Sequence, residues 1–357
     1  MCIRDRNGSP VAPGWYTVKL ILTDGLNRTT EATRLVQVGD LLPDTQLIVE
    51  LENARQSEVH GRGNWVVWQD QRSGSWNIYA KDIISTGAVE TQVTDSTLNQ
   101  ERPRTDGDYV VWQARQVDGS LDIMIRKLGD AAPAASVTST PGVDEIKPVV
   151  EWPWVIYQRK PNNDADAPWQ LFAKNLATDT ETAVDVTTFD QLDPSIHEQR
   201  IVWQDHRDVG PGEIYFKDLQ TGDIKRITDQ TDGQYHPVIE DQWIVWADNR
   251  ATQFDLYAYN LYRDITIQLT SAPEDETRPA INDQWVVYEE DSVGEQLINL
   301  RMMHLANLSN VQLTNAPGNK DKPAIVSGHV VWTDIEGADS NNPISKARIC
   351  LLYTSDA

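Results

Sequence analysis

The sequence predicts an all-β fold: a seven-bladed β-propeller of four-stranded antiparallel blades, closed by an N-terminal strand that completes the last blade. The first observation is a strand-like phrase ending in an aromatic residue, which returns seven times along the 357 residues. These aromatic anchors are Trp68, Trp112, Tyr157, Trp203, Trp246, Tyr288 and Trp332, spaced by 44, 45, 46, 43, 42 and 44 residues. A fixed period of about 20–50 residues is typical of propellers and stacked arrays.

Further phrases recur with the same period. A proline stands nine residues before six of the seven anchors, at Pro103, Pro148, Pro194, Pro237, Pro279 and Pro323. Proline is tolerated at the first residue of a strand because no essential ladder hydrogen bond is lost there. An acid-or-amide, Ile/Leu, aromatic phrase such as Asp255-Leu256-Tyr257 follows most anchors, and a phrase such as Leu269-Thr270 ends most repeats. Each repeat therefore divides into four short strands.

The anchor strand is apolar on both faces, as in Trp243-Ile244-Val245-Trp246. Successive side chains of a strand point to opposite faces, so a one-sided sheet would leave half of these residues in water. A propeller blade lies between two neighbouring blades and buries both faces of its central strand. This arrangement explains why the chain has 13 Trp but only 4 Phe.

Both ends of the chain look foreign to the repeats. Residues 1–6 and 348–357 resemble translated sequencing-adapter strings found on open reading frames from environmental assemblies, and we predict that they are non-native scars. The natural protein is then expected to be longer at both ends. The only cysteines, Cys2 and Cys350, lie in these segments. The rest of the chain has none, which argues against a disulfide scaffold or a thiolate metal site.

The native part is predicted to contain a short N-terminal segment, residues 7–40, and the propeller, residues 41–347. Two strand-like runs in the first segment flank the turn signal Asp24-Gly25. They resemble the last two strands of an immunoglobulin-like domain; a hairpin packed on the side of the propeller is the alternative. Thr45–Val49 aligns with the fourth strand of the next repeat, although no first strand has yet appeared, and this phase predicts closure of the ring by the N-terminal strand.

The net charge of −23 argues against a nucleic-acid partner, because binding the phosphate backbone requires clustered Lys and Arg. No run of 18 apolar residues is present, so no membrane insertion is expected. The acidity is typical of an extracytoplasmic protein, either periplasmic, secreted or on the cell surface. We expect a monomeric domain.

The repeat x-Pro-x-Ile…Trp-Val-Val-Trp-x-Asp-x-Arg…Asp-Leu-Tyr…Gln-Leu-Thr resembles that of TolB-like propellers, over roughly residues 46–346. It departs from the commoner TolB repeat in lacking a Ser-Pro-Asp-Gly turn. This resemblance implies the propeller fold. It leaves function open, because such propellers include periplasmic binding proteins, the non-catalytic propellers of prolyl-oligopeptidase relatives, and oligogalacturonate lyases.

The residues before the prolines, with the equivalent Glu58, are expected to border the central channel. They are Glu58, Arg102, Lys147, Asp193, His236, Arg278 and Lys322, and four of the seven are basic. A ring of cations around a funnel attracts anions. The loop after the second strand opens on the same face and adds His206 and Arg207. The predicted ligand-binding residues are therefore Arg102, Lys147, His236, Arg278, Lys322, His206 and Arg207.

Structural pairing is the competing interpretation of these charges. Asp70, Asp205 and Asp248 each precede an Arg by two residues, at Arg72, Arg207 and Arg250. These acids share the face with the basic ring, and a phrase repeated in three blades favours a structural role. No metal site is predicted, because the six His residues show no close ligand spacing. A calcium ion in the polar loop 162–166 remains an alternative to a solvated loop.

The sequence contains no nucleophile motif, so no catalytic residue is predicted. We expect a non-enzymatic binding propeller from a larger secreted or cell-surface prokaryotic protein, with a partner protein or acidic glycan held on the face of the basic ring. The alternative is a polysaccharide-degrading enzyme of the lyase type, in which His206, His236, Arg207 and Arg278 would be the acid–base and carboxylate-binding groups. A propeller that scaffolds a further domain is a third possibility.

Overall fold

The computed structural model describes residues 14–23, 29–38, 45–48, 55–207, 210–250, 253–292, 297–315, 318–336 and 344–351, the strands before residue 48 and after residue 343 by their backbone. The predicted scar at 1–6 lies outside these residues. Of the scar predicted at 348–357, residues 348–351 lie in the last strand of the ring, and residues 352–357 lie outside the described residues. Strands β1 (Gly14–Thr23) and β2 (Thr29–Val38) form an antiparallel two-stranded sheet of their own. Strand β3 (Thr45–Leu47) belongs to the repeats.

The repeats follow in chain order, each with an inner, a second, a third and an outer strand. The first three contain β4 (Gln56–Arg62), β5 (Trp65–Asp70), β6 (Asn77–Asp82), β7 (Thr91–Gln92), β8 (Gln100–Thr105), β9 (Tyr109–Arg115), β10 (Leu121–Lys127), β11 (Ala135–Ser136), β12 (Val143–Glu151), β13 (Trp154–Pro161), β14 (Gln170–Asn175) and β15 (Thr180–Ala183). The next three contain β16 (Gln191–His197), β17 (Arg200–Asp205), β18 (Glu213–Asp218), β19 (Ile224–Arg226), β20 (Gln234–Glu240), β21 (Trp243–Asp248), β22 (Asp255–Asn260), β23 (Ile265–Gln268), β24 (Asp275–Asn282), β25 (Trp285–Ser292), β26 (Leu297–His304) and β27 (Ser309–Gln312). The last contains β28 (Asn319–Val326), β29 (His329–Glu336) and β30 (Ile344–Leu351).

The all-β propeller class is confirmed, but the predicted set of seven separate four-stranded blades is wrong. The described strands of the ring form five four-stranded sheets and one eight-stranded sheet, which comprises β8 to β15. Two repeats merge because β10 pairs in parallel with β12 at Leu121 and Asp144. The Asp144 carboxylate also accepts the Leu121 amide at 3.0 Å. This junction depends on one local side chain, which the period does not reveal.

The ring is continuous from its first inner strand to its last. Consecutive inner strands contact one another in chain order, and β28 packs back against β4. Strand β3 pairs antiparallel with β30, so residues from the two ends of the described chain complete one sheet. Within the described residues no helix is long and apolar enough to cross a membrane.

The anchor strands form the core between sheets. All seven anchors are at most 1% exposed. Ile244 and Trp246 pack against Val202 of the preceding repeat, whereas Val245 packs against Val286 of the following one. The predicted burial of both faces is therefore confirmed, and the tryptophans fill the wedge between neighbouring sheets.

Every inner strand carries an irregularity at the same point. The residue before the proline, or before Val59 in the first repeat, has a left-handed backbone conformation: Glu58 (φ 54), Arg102 (φ 55), Lys147 (φ 50), Asp193 (φ 50), His236 (φ 52), Arg278 (φ 47) and Lys322 (φ 55). The pairing register of each inner strand shifts there. Bulges of this kind re-aim side chains. Because all seven repeats share it, this bulge belongs to the architecture and brings one polar side chain per repeat to the channel.

Candidate functional site

The inner strands surround a cavity of about 500 Å³ along the central channel. Steps of two residues along the inner strands divide its lining into three layers. We call the bulge residues the mouth. The chamber lies two residues further along each strand, at His60, Arg104, Val149, Ser195, Val238, Ala280 and Ala324. The floor lies two residues beyond, and its cavity-lining residues are Arg62, Glu151, Glu240 and Asn282.

Five of the seven predicted binding residues lie together at the mouth: Arg102, Lys147, His236, Arg278 and Lys322. Each of these five side chains lies within ion-pair distance of an acidic side chain. Lys147 Nζ lies 2.5 Å from Asp193 Oδ1, and His236 Nδ1 lies 3.2 Å from the other oxygen of the same carboxylate. Arg278 pairs with Asp321 and lies 3.6 Å from Glu289. The mouth is therefore an ion-pair network. Its acids are not the expected Asp residues after the anchors, which pair with the Arg two residues further on.

The pairing is unequal around the ring. Lys322 pairs with Glu58, while Arg104 Nη2 lies 3.4 Å and Arg102 Nη1 3.8 Å from the same carboxylate. Burial opposes ionisation of Glu58, but the charges of Arg104, Lys322 and Arg102 outweigh it and lower its pKa to about 2. Three cations thus share one carboxylate. The side chain of Arg102 remains 41% exposed, so this sector of the mouth has cationic groups that water still reaches.

The backbone of the bulge is tied to the preceding repeat. The residue after each of three anchors is a glutamine whose side-chain oxygen accepts the next bulge amide: Gln69 from Arg102 at 2.8 Å, Gln113 from Lys147 at 3.2 Å and Gln158 from Asp193 at 3.2 Å. Sequence reasoning missed this link, although the recurring Gln was its signal.

Glu289 departs from this pattern. It follows the anchor Tyr288 where other repeats have Gln, and it still accepts the Lys322 amide at 2.8 Å. Its side chain is almost fully buried, and Arg278 Nη1 lies 3.6 Å from Oε1. Burial raises the pKa of Glu289 to about 7, although the Arg278 charge partly opposes that rise. One repeat therefore places a carboxyl group that titrates near neutrality beside a half-exposed arginine.

His206 and Arg207 do not line the cavity. Arg207 donates to both oxygens of buried Asp205, at 2.8 and 2.6 Å, and stacks on the ring of Tyr215. Trp203 Nε1 completes this cluster by donating to Asp205 at 2.8 Å. Arg72 with Asp70, and Arg250 with Asp248, repeat the arrangement. Each Asp of the Asp-x-Arg phrase thus pairs with the Arg of its own turn, which favours a structural role. Arg72 and Arg207 also pair, outside those turns, with Glu90 and Asp185 respectively.

The chamber has two chemically different sides. Its wall is formed by small or apolar residues at Val149, Ser195, Val238, Ala280 and Ala324, and by His60 and Arg104 at the first two inner strands. Thr105 N donates to His60 Nδ1 at 3.3 Å. Burial, followed by the charges of Arg104 and Arg62, lowers the pKa of His60 well below its usual range. His60 is therefore neutral, with its proton on Nε2, and this sector offers hydrogen-bond donors.

The floor is crossed by an ion pair that sequence reasoning did not anticipate. Arg62 at the end of β4 donates to both oxygens of Glu240 at the end of β20, at 2.9 and 3.2 Å. These strands are not neighbours in the ring, so the pair spans the channel. His197 Nδ1 lies 3.1 Å from Arg62 and 3.3 Å from Glu240. Paired charges therefore span the channel at this end.

The described residues contain no group of three or more acidic, His or Cys side chains arranged to hold a metal ion. In the polar loop considered for calcium, one acid is used within the loop. Asp164 accepts the amides of Asp166 and Ala167, which is the pattern of a turn. No cofactor is assigned to the chain.

The sequence matches no protein-family model and no curated protein. Solved structures do match. An oligogalacturonate lyase in complex with manganese aligns at 11% identity over 96% of this chain and 98% of that chain, with a TM-score of 0.67. TolB from Acinetobacter baumannii aligns at 13% identity over 83% and 79%, with a TM-score of 0.52. A puromycin-hydrolyzing peptidase of Mycobacterium tuberculosis aligns at 14% identity over 79% and 50%, with a TM-score of 0.60.

The chain has a TolB-like β-propeller fold. At these identities the likeness concerns the fold alone, and the structures that share it include a lyase, a peptidase and TolB. This chain spans half of the peptidase chain. None of the three similar structures bears on the immunoglobulin-like resemblance of the β1–β2 hairpin, which stays a prediction.

Proposed function

We propose that this propeller is a binding domain of a larger extracytoplasmic prokaryotic protein and holds an anionic group of a glycan or partner protein at the mouth of its channel. The observation that carries the proposal is the sharing of one carboxylate, Glu58, by Lys322, Arg102 and Arg104. The whole chain has a net charge of −23. Six cationic side chains nevertheless line the cavity, with three acidic ones: Arg62, Arg102, Arg104, Lys147, Arg278 and Lys322 against Glu151, Asp193 and Glu240. Glu58, Asp321 and Glu289 contact these cations without lining the cavity themselves.

The position of these charges favours an anion as the ligand. A concave surface with excess cationic charge concentrates field and raises the local concentration of anions. The arginine forks of Arg102 and Arg278 are 41% and 42% exposed, so they keep donors available for a carboxylate or sulfate. The acid-rich remainder of the surface repels the same ligand, which directs it to the mouth.

The first prediction is a thermal shift. Oligogalacturonate is expected to raise the melting temperature of the full chain, whereas a neutral oligosaccharide of equal length leaves it unchanged. A ligand at a hundredfold excess over its dissociation constant stabilises the folded state by about 2.7 kcal/mol. Arg278→Gln and Lys322→Gln should each weaken binding at least tenfold. Lys225→Gln is the matched control, because Lys225 also loses an ion pair but lies on an outer strand.

Identical shifts with acidic and neutral sugars would contradict the anion site. So would unchanged affinity in both mouth variants. A screen in which only peptides carrying Asp or Glu bind would keep the anion site and identify a protein as the partner.

A lyase acting on acidic glycans is the second candidate, and Glu289 is the observation that favours it. An acid–base catalyst works best when its pKa lies near the working pH. Glu289 has a pKa of about 7 and lies beside Arg278, which is placed to hold a substrate carboxylate. The match to an oligogalacturonate lyase over nearly the full length of both chains is compatible with this role.

The second prediction therefore tests Glu289→Gln. Gln occupies the equivalent position in four other repeats and accepts the bulge amide in three of them, so the fold should be kept. If the chain is a lyase, this variant should still bind oligogalacturonate but form unsaturated products at least a hundredfold more slowly. Product formation is followed by ultraviolet absorbance. No turnover by the parent chain, with binding intact, would eliminate the lyase and leave the binding domain.

A further inference from the structure

We propose that the chamber beneath the mouth is a separate binding pocket for a small amphipathic carboxylate, whose anionic group lies at Arg102, Arg104 and His60 and whose apolar body lies against Val149, Val238 and Ala280. The inference goes beyond the proposed function, which concerns a macromolecular anion at the mouth. The two proposals share Arg102 and Arg104, but only the mouth also depends on Arg278 and Lys322.

The first step is the shape of the space. A cavity of about 500 Å³ lies within the range of small-molecule pockets, roughly 300–1,000 Å³. The Arg62–Glu240 pair spans the floor and His197 lies against both partners. A ligand therefore enters from the mouth and stops at the floor. Such a pocket can hold one end of a ligand, but a polymer cannot pass through it.

The second step is the chemistry of one sector. Arg104 donates a hydrogen bond to the Pro103 carbonyl at 2.8 Å, and its Nη2 lies 3.4 Å from Glu58 Oε2. The Arg104 side chain remains 27% exposed. Arg102 and Lys322 use the same Glu58. The positive charge of this sector is thus only partly compensated. Neutral His60 adds an N–H donor on the adjoining strand. A planar carboxylate suits this fork of donors.

The third step is the rest of the wall. Val149, Val238 and Ala280 supply a side without charge, and Pro194, Pro237 and Pro279 line the cavity beside them. A fully hydrated anion such as acetate gains nothing from that surface. A carboxylate with an apolar body covers that surface and removes it from water, and the gain in binding free energy is proportional to the apolar area covered. Recognition of both parts at once defines the ligand class.

The test uses 4-phenylbutyrate as the probe and isothermal titration of the full chain. We expect 4-phenylbutyrate to bind at least tenfold more tightly than acetate, which lacks the apolar body, and than 4-phenylbutanol, which lacks the charge. Arg104→Gln and Val238→Asp should each weaken binding at least tenfold. Arg126→Gln is the matched control, because Arg126 lies on β10 and bonds the Val93 carbonyl at 2.9 Å, away from the channel.

The position of the probe is checked by labelling. Ser195 lines the chamber, and Ser195→Cys in a chain whose Cys2 and Cys350 are replaced by Ser introduces a single thiol there. Bound 4-phenylbutyrate should slow its reaction with a small thiol reagent at least fivefold, and 4-phenylbutanol should not. Equal affinity for the three probes, unchanged affinity in Arg104→Gln, or unprotected labelling would each overturn the proposal.

The two proposals fail separately. Binding of oligogalacturonate without binding of 4-phenylbutyrate would overturn the chamber pocket and leave the anion site at the mouth. Binding of 4-phenylbutyrate that persists in Arg278→Gln and Lys322→Gln, without any response to acidic glycans, would support the chamber and contradict the mouth.

Discussion

Replacing Asp248 by alanine is expected to lower the free energy of unfolding by about 3–5 kcal/mol, because it removes one partner of a buried charged cluster. The Asp248 carboxylate is fully buried and accepts from Arg250 at two atoms, from the Arg250 amide at 3.0 Å and from Trp246 Nε1 at 3.1 Å. The variant leaves the indole N–H without an acceptor and the guanidinium without its counter-charge. Urea unfolding followed by tryptophan fluorescence measures the loss.

The chain contains a natural comparison for this variant. At the same position of the second repeat stands Ala114, and the anchor Trp112 donates to Gln100 instead, at 2.8 Å. A small residue is thus compatible with the fold when the indole has another acceptor. The double variant Asp248→Ala with Arg250→Gln should recover part of the loss, since it removes the unpaired charge. Asp232→Ala, at an exposed position in the same repeat, should change stability by less than about 0.5 kcal/mol. A similarly small loss for Asp248→Ala would contradict the structural role of the Asp-x-Arg phrase.

The regular part of this architecture could be predicted because it repeats. The anchors, the prolines and the Leu/Ile/Val-Thr phrase each satisfy one local requirement, and the period aligns them. The Thr of that phrase, for example, accepts the third-strand amide, as Thr228 does from Ile214 at 2.9 Å. In the repeat from Pro148, which lacks this Thr, Gln191 accepts from Leu171 at 3.0 Å. In this repeat, Gln191 therefore replaces the missing Thr as the acceptor of the third-strand amide.

The parts that could not be predicted depend on contacts between repeats. The Arg62–Glu240 pair joins residues 178 positions apart on non-neighbouring strands, and no periodic pattern links them. The merger of two repeats at Leu121 and Asp144 is likewise a single contact. The candidate mouth was found because its residues precede the prolines. The partner of each cation depends on which acid the neighbouring repeat supplies. The sequence alone therefore could not distinguish a free cationic ring from an ion-pair network.

The last prediction concerns Glu276, whose carboxyl group is buried against Asp255. Burial raises the pKa of Glu276 to about 8, and the negative charges of Asp255 and Glu290 add to the effect, although a hydrogen bond from Thr270 at 2.9 Å opposes it. The pKa of Asp255 is also raised by burial, and the two carboxyls share a hydrogen bond. The pair thus retains a proton in the folded state and titrates as one unit.

The sign of the stability change follows from the proton count. An exposed glutamate in the unfolded chain releases its proton near pH 4.5, whereas the folded pair keeps it up to about pH 8. The folded state therefore binds more protons between these values, so its stability is fully present below pH 4.5 and is lost as pH rises through 8. One proton contributes a slope of at most about 1.4 kcal/mol per pH unit. Glu145 and Glu289, whose pKa values burial raises to about 7, act in the same direction.

Glu276→Gln is expected to flatten this pH dependence, because the amide resembles the protonated carboxyl and cannot ionise. Urea unfolding at pH 5, 6, 7 and 8 should show near-equal stability of the two chains at pH 5 and a growing advantage for the variant above pH 6. Glu274→Gln removes the same charge two residues away at a partly exposed position, and its profile should run parallel to that of the parent. If Glu276→Gln and the parent instead lose stability in parallel as pH rises, the pair does not hold a proton in the folded state. The neutral pairing of these buried acids would then be wrong, and an unpaired buried charge would have to be accommodated between two sheets.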